Sequence, residues 1–186
     1  IGILDRRHGD HPLQIPERNG EAYISIVLDT FGHINFNCNI EKDRKGLIGE
    51  VKLGGKAIPE WKAGFLPLQK VPEAKPTKID VLGLEGGMFR AEITLDTVQD
   101  TFLDMSRWEK GYVWVNGHCL GRYWNIGPQQ RLYCPRDFLF EGKNTVQVLD
   151  LFMTAPAPIR GCTERNMESV RETKNLNNEW GLGVRC

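Results

Sequence analysis

Apolar and polar positions alternate with a period of two along much of this chain. Ala22, Ile24, Ile26 and Leu28 oppose Tyr23, Ser25 and Val27, and Phe89, Ala91, Ile93 and Leu95 oppose Met88, Arg90, Glu92 and Thr94. Successive side chains of a strand leave on opposite faces, so this period predicts half-buried β-strands. Strands are expected over 21–37, 47–53, 86–96, 100–108, 111–115, 119–124 and 144–152, with a further one at RLYCP (131–135). Gly54-Gly55 marks a turn, and Asn116-Gly117 suits the positive φ angles of a type I′ hairpin. Pro59, Pro67, Pro72 and Pro76 lack backbone donors, which makes residues 59–81 extended and loop-like, along sheet edges and between sheets. No long apolar stripe with helical spacing occurs. The stretch RNMESVRETKN (165–175), where Met167 and Val170 lie three apart, has the spacing for a short surface helix but reads as a weakly structured, polar tail. Strands at intervals of about ten residues, separated by turn signals, predict an all-β fold: an antiparallel β-sandwich or jelly roll.

The hairpin is the richest stretch, KGYVWVNGHCLGRYWNIGPQQRLYCP (110–135). Simple alternation about Asn116-Gly117 puts Val113, Val115, Leu120 and Trp124 on one face with Arg122 and His118. Tyr112, Trp114, Cys119, Gly121 and Tyr123 fall on the other. Both faces are largely apolar, as a strand pair inside a sandwich requires. Trp114 and Tyr123 are therefore expected in the core or at a domain interface.

Composition narrows the class. The 186 residues are 40% hydrophobic and 26% charged, and the 24 Lys and Arg balance the 24 Asp and Glu. With no cationic excess to release counterions from a phosphate backbone, nucleic acid is not an expected partner. No apolar run approaches the ~20 residues of a spanning helix, so no membrane is expected either. The chain opens IGILDRRHG, without an initiator Met or a signal-peptide layout, and is expected to begin inside a longer protein. Cys38, Cys119, Cys134, Cys162 and Cys186 show no metal-binding spacing and read as small apolar core residues, with Cys119 and Cys134 open as neighbours in space. No Asn-X-Ser/Thr glycosylation site occurs.

Chemistry is sparse. His8, His11, His33 and His118 form no HExxH or H-x-H group, and His8 and His11 read as solvated loop residues. There is no G-x-S-x-G elbow and no phosphate-binding loop, LGLEGG (82–87) reading as a turn. Neither a cofactor nor a metal nor a catalytic group is assigned.

The stretch DTFLDMSRWEKGYVWVNGHCLGRYWNIGPQQRLYCPRDFLFEGKNTVQVLDL resembles the C-terminal jelly-roll signature of the family 35 β-galactosidases. The matching positions are Lys110-Gly111, Val113 to Gly117, Leu120 to Trp124, Gly127 to Gln129, Tyr133 with Pro135, and Gly142 with Asn144. A second patch is similar: IGILDRR resembles the family's Gly-x-Leu-Asp-Arg strand, and VLDTFGHINFN (27–37) its Val-Glu-Asn-x-Gly-Arg-x-Asn-Tyr-Gly element, followed by KGLIG (45–49). That patch departs from the pattern at Asp29, Thr30, His33, Phe36 and Asn37, the last standing where the family has Gly. The likeness covers residues 1–152.

The resemblance implies three parts. Residues 1–75 would be the C-terminal part of a first, small β-sandwich domain plus its Pro-rich connection. Residues 76–155 would be a galactose-binding-like jelly roll, able to borrow strands from 1–75, and 156–186 a polar tail. Family members resemble one another in a leading (β/α)₈ barrel whose two glutamates hydrolyse β-galactosides with retention, a geometry needing carboxyl groups about 5–5.5 Å apart. Nothing in this chain resembles that barrel. The expected role is noncatalytic: bracing the barrel of the same parent protein. Alternatives are a galactose-binding module and a sandwich kept for protein–protein contact. If a β-galactoside is bound, Trp124 is the expected stacking ring, with Arg122, Asn125 and Gln129 hydrogen-bonding its hydroxyls. The family resemblance implies an extracytoplasmic location. It also implies a first sandwich without its leading strands, hence an unpaired edge or exposed apolar face.

Overall fold

The computed structural model describes residues 2–9, 11–30, 32, 35, 37–73 and 86–166. The chain divides into two compact units, one over residues 1–64 and the other starting at Phe65. Among the described residues no helix is long and apolar enough to cross a membrane. The tail stretch 165–175 and the LGLEGG turn lie largely outside the described residues.

The first unit carries little regular structure. Its strands are β1 (Lys52–Leu53) and β2 (Lys56–Ala57), an antiparallel pair closed by Gly54-Gly55, both at positive φ. This is the predicted turn with a shorter strand than expected. Residues 21–30 form no strand despite their alternation. A period-two pattern makes a strand only when a neighbour completes the ladder. Here Tyr23 is 99% exposed and Val27 76%. Nor does the Gly-x-Leu-Asp-Arg segment form a strand; Asp5 instead caps a single turn at Arg6–His8, accepting from the Arg7 amide at 2.9 Å. Asn37, at the family's Gly position, has φ +64, a left-handed conformation that Asn tolerates better than other side-chain-bearing residues. Its Oδ1 accepts from the Asn39 amide at 2.9 Å.

The second unit is the sandwich. One sheet has the order β3-β8-β5-β6, from β3 (Gly87–Leu95), β8 (Gly142–Asp150), β5 (Lys110–Val115) and β6 (His118–Trp124). The other has the order β7-β4-β9, from β7 (Arg131–Cys134), β4 (Thr101–Asp104) and β9 (Arg160–Cys162). All pairs are antiparallel. β9 lies in the stretch read as a polar tail. Three residues, Arg-Gly-Cys, carry no pattern of their own, and they become a strand by pairing with Phe102 to Asp104.

The core fills the space between the sheets. Val113 and Val115 of β5 stand beside Val148 and Val146 of β8, and they meet Leu103 of β4 with Leu132 and Cys134 of β7. Trp108 packs edge-on against Phe89, centroids 5.3 Å apart. Trp114 and Tyr123 are fully buried, as expected. Cys119, Cys134 and Cys162 are free thiols, so Cys119 and Cys134 form no bridge.

Candidate functional site

The hairpin tip explains two motif asparagines. Asn116 takes φ +49 and Gly117 φ +84, the geometry of the predicted turn. The Asn116 Nδ2 donates to the Phe138 carbonyl at 2.7 Å and to Asn144 Oδ1 at 2.8 Å, while its Oδ1 accepts from the Thr145 amide at 2.8 Å. Asn144, 1% exposed, donates in turn to the Phe140 and Gly142 carbonyls. Two asparagines 28 residues apart thus satisfy each other and the loop between them. His118 stacks on Phe138 at 4.1 Å beside this network.

The far end of the sheet is tied by Asp150. This fully buried carboxylate accepts from the Glu109 amide (3.0 Å), the Tyr123 hydroxyl (2.8 Å), and the Phe152 and Met153 amides (2.9 Å each). Burial, then the adjacent Asp150 charge, pushes the Tyr123 phenol far up, so it remains a donor. Gly111 lies between Asp150 and Tyr123 in register, where only glycine fits: an added Cβ would overlap the Leu149 carbonyl oxygen.

Between these ends the pairing of β5 with β6 departs from simple alternation. Trp114 faces Cys119 and Val115 faces His118, as expected, but Val113 faces Gly121, so Leu120 is an extra residue in a β-bulge. Gly121 there has φ +112. The bulge reverses the expected faces beyond it. Tyr123 joins Val113 in the core, while Arg122 and Trp124 move to the outer face with Tyr112 and Trp114.

That outer face carries interleaved cations and rings. Lys110 Nζ sits 4.7 Å from the Trp124 ring centre, Arg122 Cζ lies 5.9 Å from the Tyr112 ring centre, and the Tyr112 and Trp114 rings are 6.3 Å apart. Such contacts set Lys110 over the Trp124 ring and Arg122 over the Tyr112 ring. Lys110 is 7% exposed and Trp114 fully buried, its Nε1 donating to the Leu68 carbonyl at 3.0 Å. The chain at Leu68 therefore lies over the Trp114 indole.

Of the four candidate sugar ligands, the structure brings together Arg122 and Trp124, both half-buried on this face. Asn125 begins the following loop, its amide donating to the Glu109 carbonyl (2.8 Å) and its carbonyl accepting from Gln130 Nε2 (2.6 Å). Gln129 is exposed, and its carbonyl accepts from the Trp124 amide. The inward glutamine is Gln130, 6% exposed, whose Oε1 accepts from Asn166 at 2.9 Å. Sequence reasoning passed over Lys110, although its spacing of two from Tyr112 and four from Trp114 puts it on their face.

Sheet order, hairpin and core together define an antiparallel β-sandwich of a four-stranded and a three-stranded sheet. The family model "Beta-galactosidase, galactose-binding domain" matches residues 86–144, and "Beta-galactosidase, first all-beta domain" matches residues 1–69. The chain is 33% identical over 163 residues to human Beta-galactosidase-1-like protein 2, covering 84% of this chain and 25% of that protein. It is 31% identical over 139 residues to a Beta-galactosidase of Xanthomonas manihotis (72% of this chain, 22% of that protein) and 31% over 178 residues to Arabidopsis thaliana Beta-galactosidase 17 (81% and 25%). The chain belongs to the family 35 β-galactosidases, of which it carries non-catalytic beta domains. It spans about a quarter of the length of these relatives.

Proposed function

We propose that this chain braces a catalytic (β/α)₈ barrel rather than acting on sugar itself. The supporting observation is the state of the aromatic face: Trp124 is covered on one side by Lys110, and Trp114 is sealed by the segment at Leu68. A sugar platform needs an open ring face; Trp114 offers none, and Lys110 takes one of the two that Trp124 has. The first unit adds a second reason. Tyr23, Val27 and Ile48 are 99%, 76% and 70% exposed, apolar surface of the kind that a neighbouring domain covers.

The test mixes the full chain with a separately produced (β/α)₈ barrel of a family 35 β-galactosidase and follows association by sedimentation velocity. A complex that is weakened by Val27→Asp with Ile48→Asp supports bracing; no complex at any concentration refutes it. Galactoside contact is the second reading, favoured by Arg122 and Trp124 sharing one face. Calorimetric titration with galactose that gives saturable heat, lost on Trp124→Ala, supports that reading, and a flat trace removes it.

A further inference from the structure

Among the described residues the four-stranded sheet ends on one side in β3, which pairs there with β8 alone. Its nine residues keep unbroken register with β8, from Gly87 opposite Asp150 to Leu95 opposite Gly142. At ~3.4 Å per residue this is an edge of about 30 Å. Sheet edges are ordinarily blunted by proline, bulges, lysine, short length or a covering element, because a free row of N–H and C=O groups templates another strand. β3 has no proline, lysine or bulge, and no strand among the described residues pairs with its outer side. Residues 90–94 are all exposed, including Ala91 and Ile93 of the core-facing row, with Ile93 at 37%.

The charges on this edge select a partner. Arg90 and Glu92 point to the same face and lie 3.8 Å apart, with side chains 64% and 57% exposed. We propose that β3 is a self-association surface, on which a second copy of this chain adds its own β3 antiparallel about a two-fold axis through Ala91. In that register Arg90 faces Glu92 of the second copy, and the reverse pair repeats across the axis. Phe89 then faces Ile93 of the second copy on the inner row, and Ala91 faces itself. Shifting the axis to residue 90 sets Arg90 against Arg90, and shifting it to residue 92 sets Glu92 against Glu92. Registers of odd offset join the core-facing row of one sheet to the charged row of the other. Directly opposed side chains in an antiparallel pair are close enough for like charges to destabilise and unlike charges to stabilise. The sequence Arg-Ala-Glu is thus self-complementary in one register.

The experiment is sedimentation equilibrium of the full chain up to near-millimolar concentration. The wild type is expected to form a dimer, and Arg90→Glu or Glu92→Arg to weaken it by about tenfold or more, since each creates two like-charge oppositions. The double reversal R90E/E92R restores the pattern and is expected to restore the dimer. Circular dichroism checks that each variant keeps its fold. In a separate variant, Ala91→Cys, mass spectrometry is expected to find a disulfide joining residue 91 of two chains. A wild type that stays monomeric throughout overturns the proposal. So does a dimer indifferent to either single reversal, or a double reversal that fails to recover it.

Discussion

Gly111→Ala is the most severe single test of the sandwich. A Cβ on Gly111 would overlap the Leu149 carbonyl oxygen, and it would stand 2.8 Å from the Leu149 carbonyl carbon and 2.9 Å from the Tyr123 hydroxyl. The obstacles are backbone of the neighbouring strand and a hydroxyl fixed on Asp150, neither of which swings aside. β5 must therefore part from β8, or Tyr123 must leave Asp150. Overpacking of a tight core costs about 1–3 kcal/mol. Depriving a buried carboxylate of a partner adds about 1–3 kcal/mol. A loss of roughly 4 kcal/mol lowers the midpoint of a domain of about a hundred residues by about 15–30 °C. The assay is thermal and urea unfolding of the full chain followed by tryptophan fluorescence, dominated by the buried Trp108 and Trp114. Gly117→Ala is the control. An added Cβ there meets open space, but φ is +84, so only backbone strain of about 1 kcal/mol is expected. If Gly111→Ala unfolds within about 1 kcal/mol of the wild type, the close strand approach is wrong.

Asn116→Ala removes the bonds to Phe138, Asn144 and Thr145, and is expected to cost about 2–4 kcal/mol, with faster hydrogen exchange at the Thr145 amide. For Asp104, burial raises the carboxyl, but hydrogen bonds from Ser106 and Arg131 outweigh it and hold the group below its ordinary 3.8. A depressed folded-state value means that the unfolded chain binds more protons. Its stabilisation is therefore present above 3.8 and is lost as pH falls through the folded value. Acid titration of stability should accordingly be flatter for Asp104→Asn than for the wild type in that window. Burial, then the Asp100 charge, pushes the fully buried Cys134 thiol up to about 11. Alkylation at pH 8 is expected to label the half-buried Cys119 and Cys162 first and Cys134 only on unfolding; mass spectrometry showing equal rates would contradict that.

Much of the sandwich was legible because its strands obey one simple rule. β3 and β8 fall within two residues of their expected limits, and Asn116-Gly117 marked the hairpin. Three features were not legible, each because it depends on a partner. Residues 21–30 alternate like a strand but find no ladder, and β9 has no alternation yet gains one. The bulge at Leu120 was hidden because both faces of the hairpin are apolar, so neither phase of the alternation looked wrong. With it went the placement of Arg122 and Trp124. The inward Gln130 and outward Gln129 are likewise indistinguishable by type, and closure of the loop on Asn125 separates them.

The kink that holds one extra residue in β6 works like a half-step of rotation: with that residue present, it sets which of Arg122, Tyr123 and Trp124 turns inward. Flattening the bulge while keeping Leu120 would invert Arg122, Tyr123 and Trp124, sending a guanidinium into the interior and a phenol outward, whereas deleting Leu120 leaves Arg122 opposite Tyr112 and Tyr123 opposite Gly111 in an unbroken ladder. A lineage carrying this hairpin can therefore respell or drop that residue, but whenever it keeps the residue it must keep the kink as well.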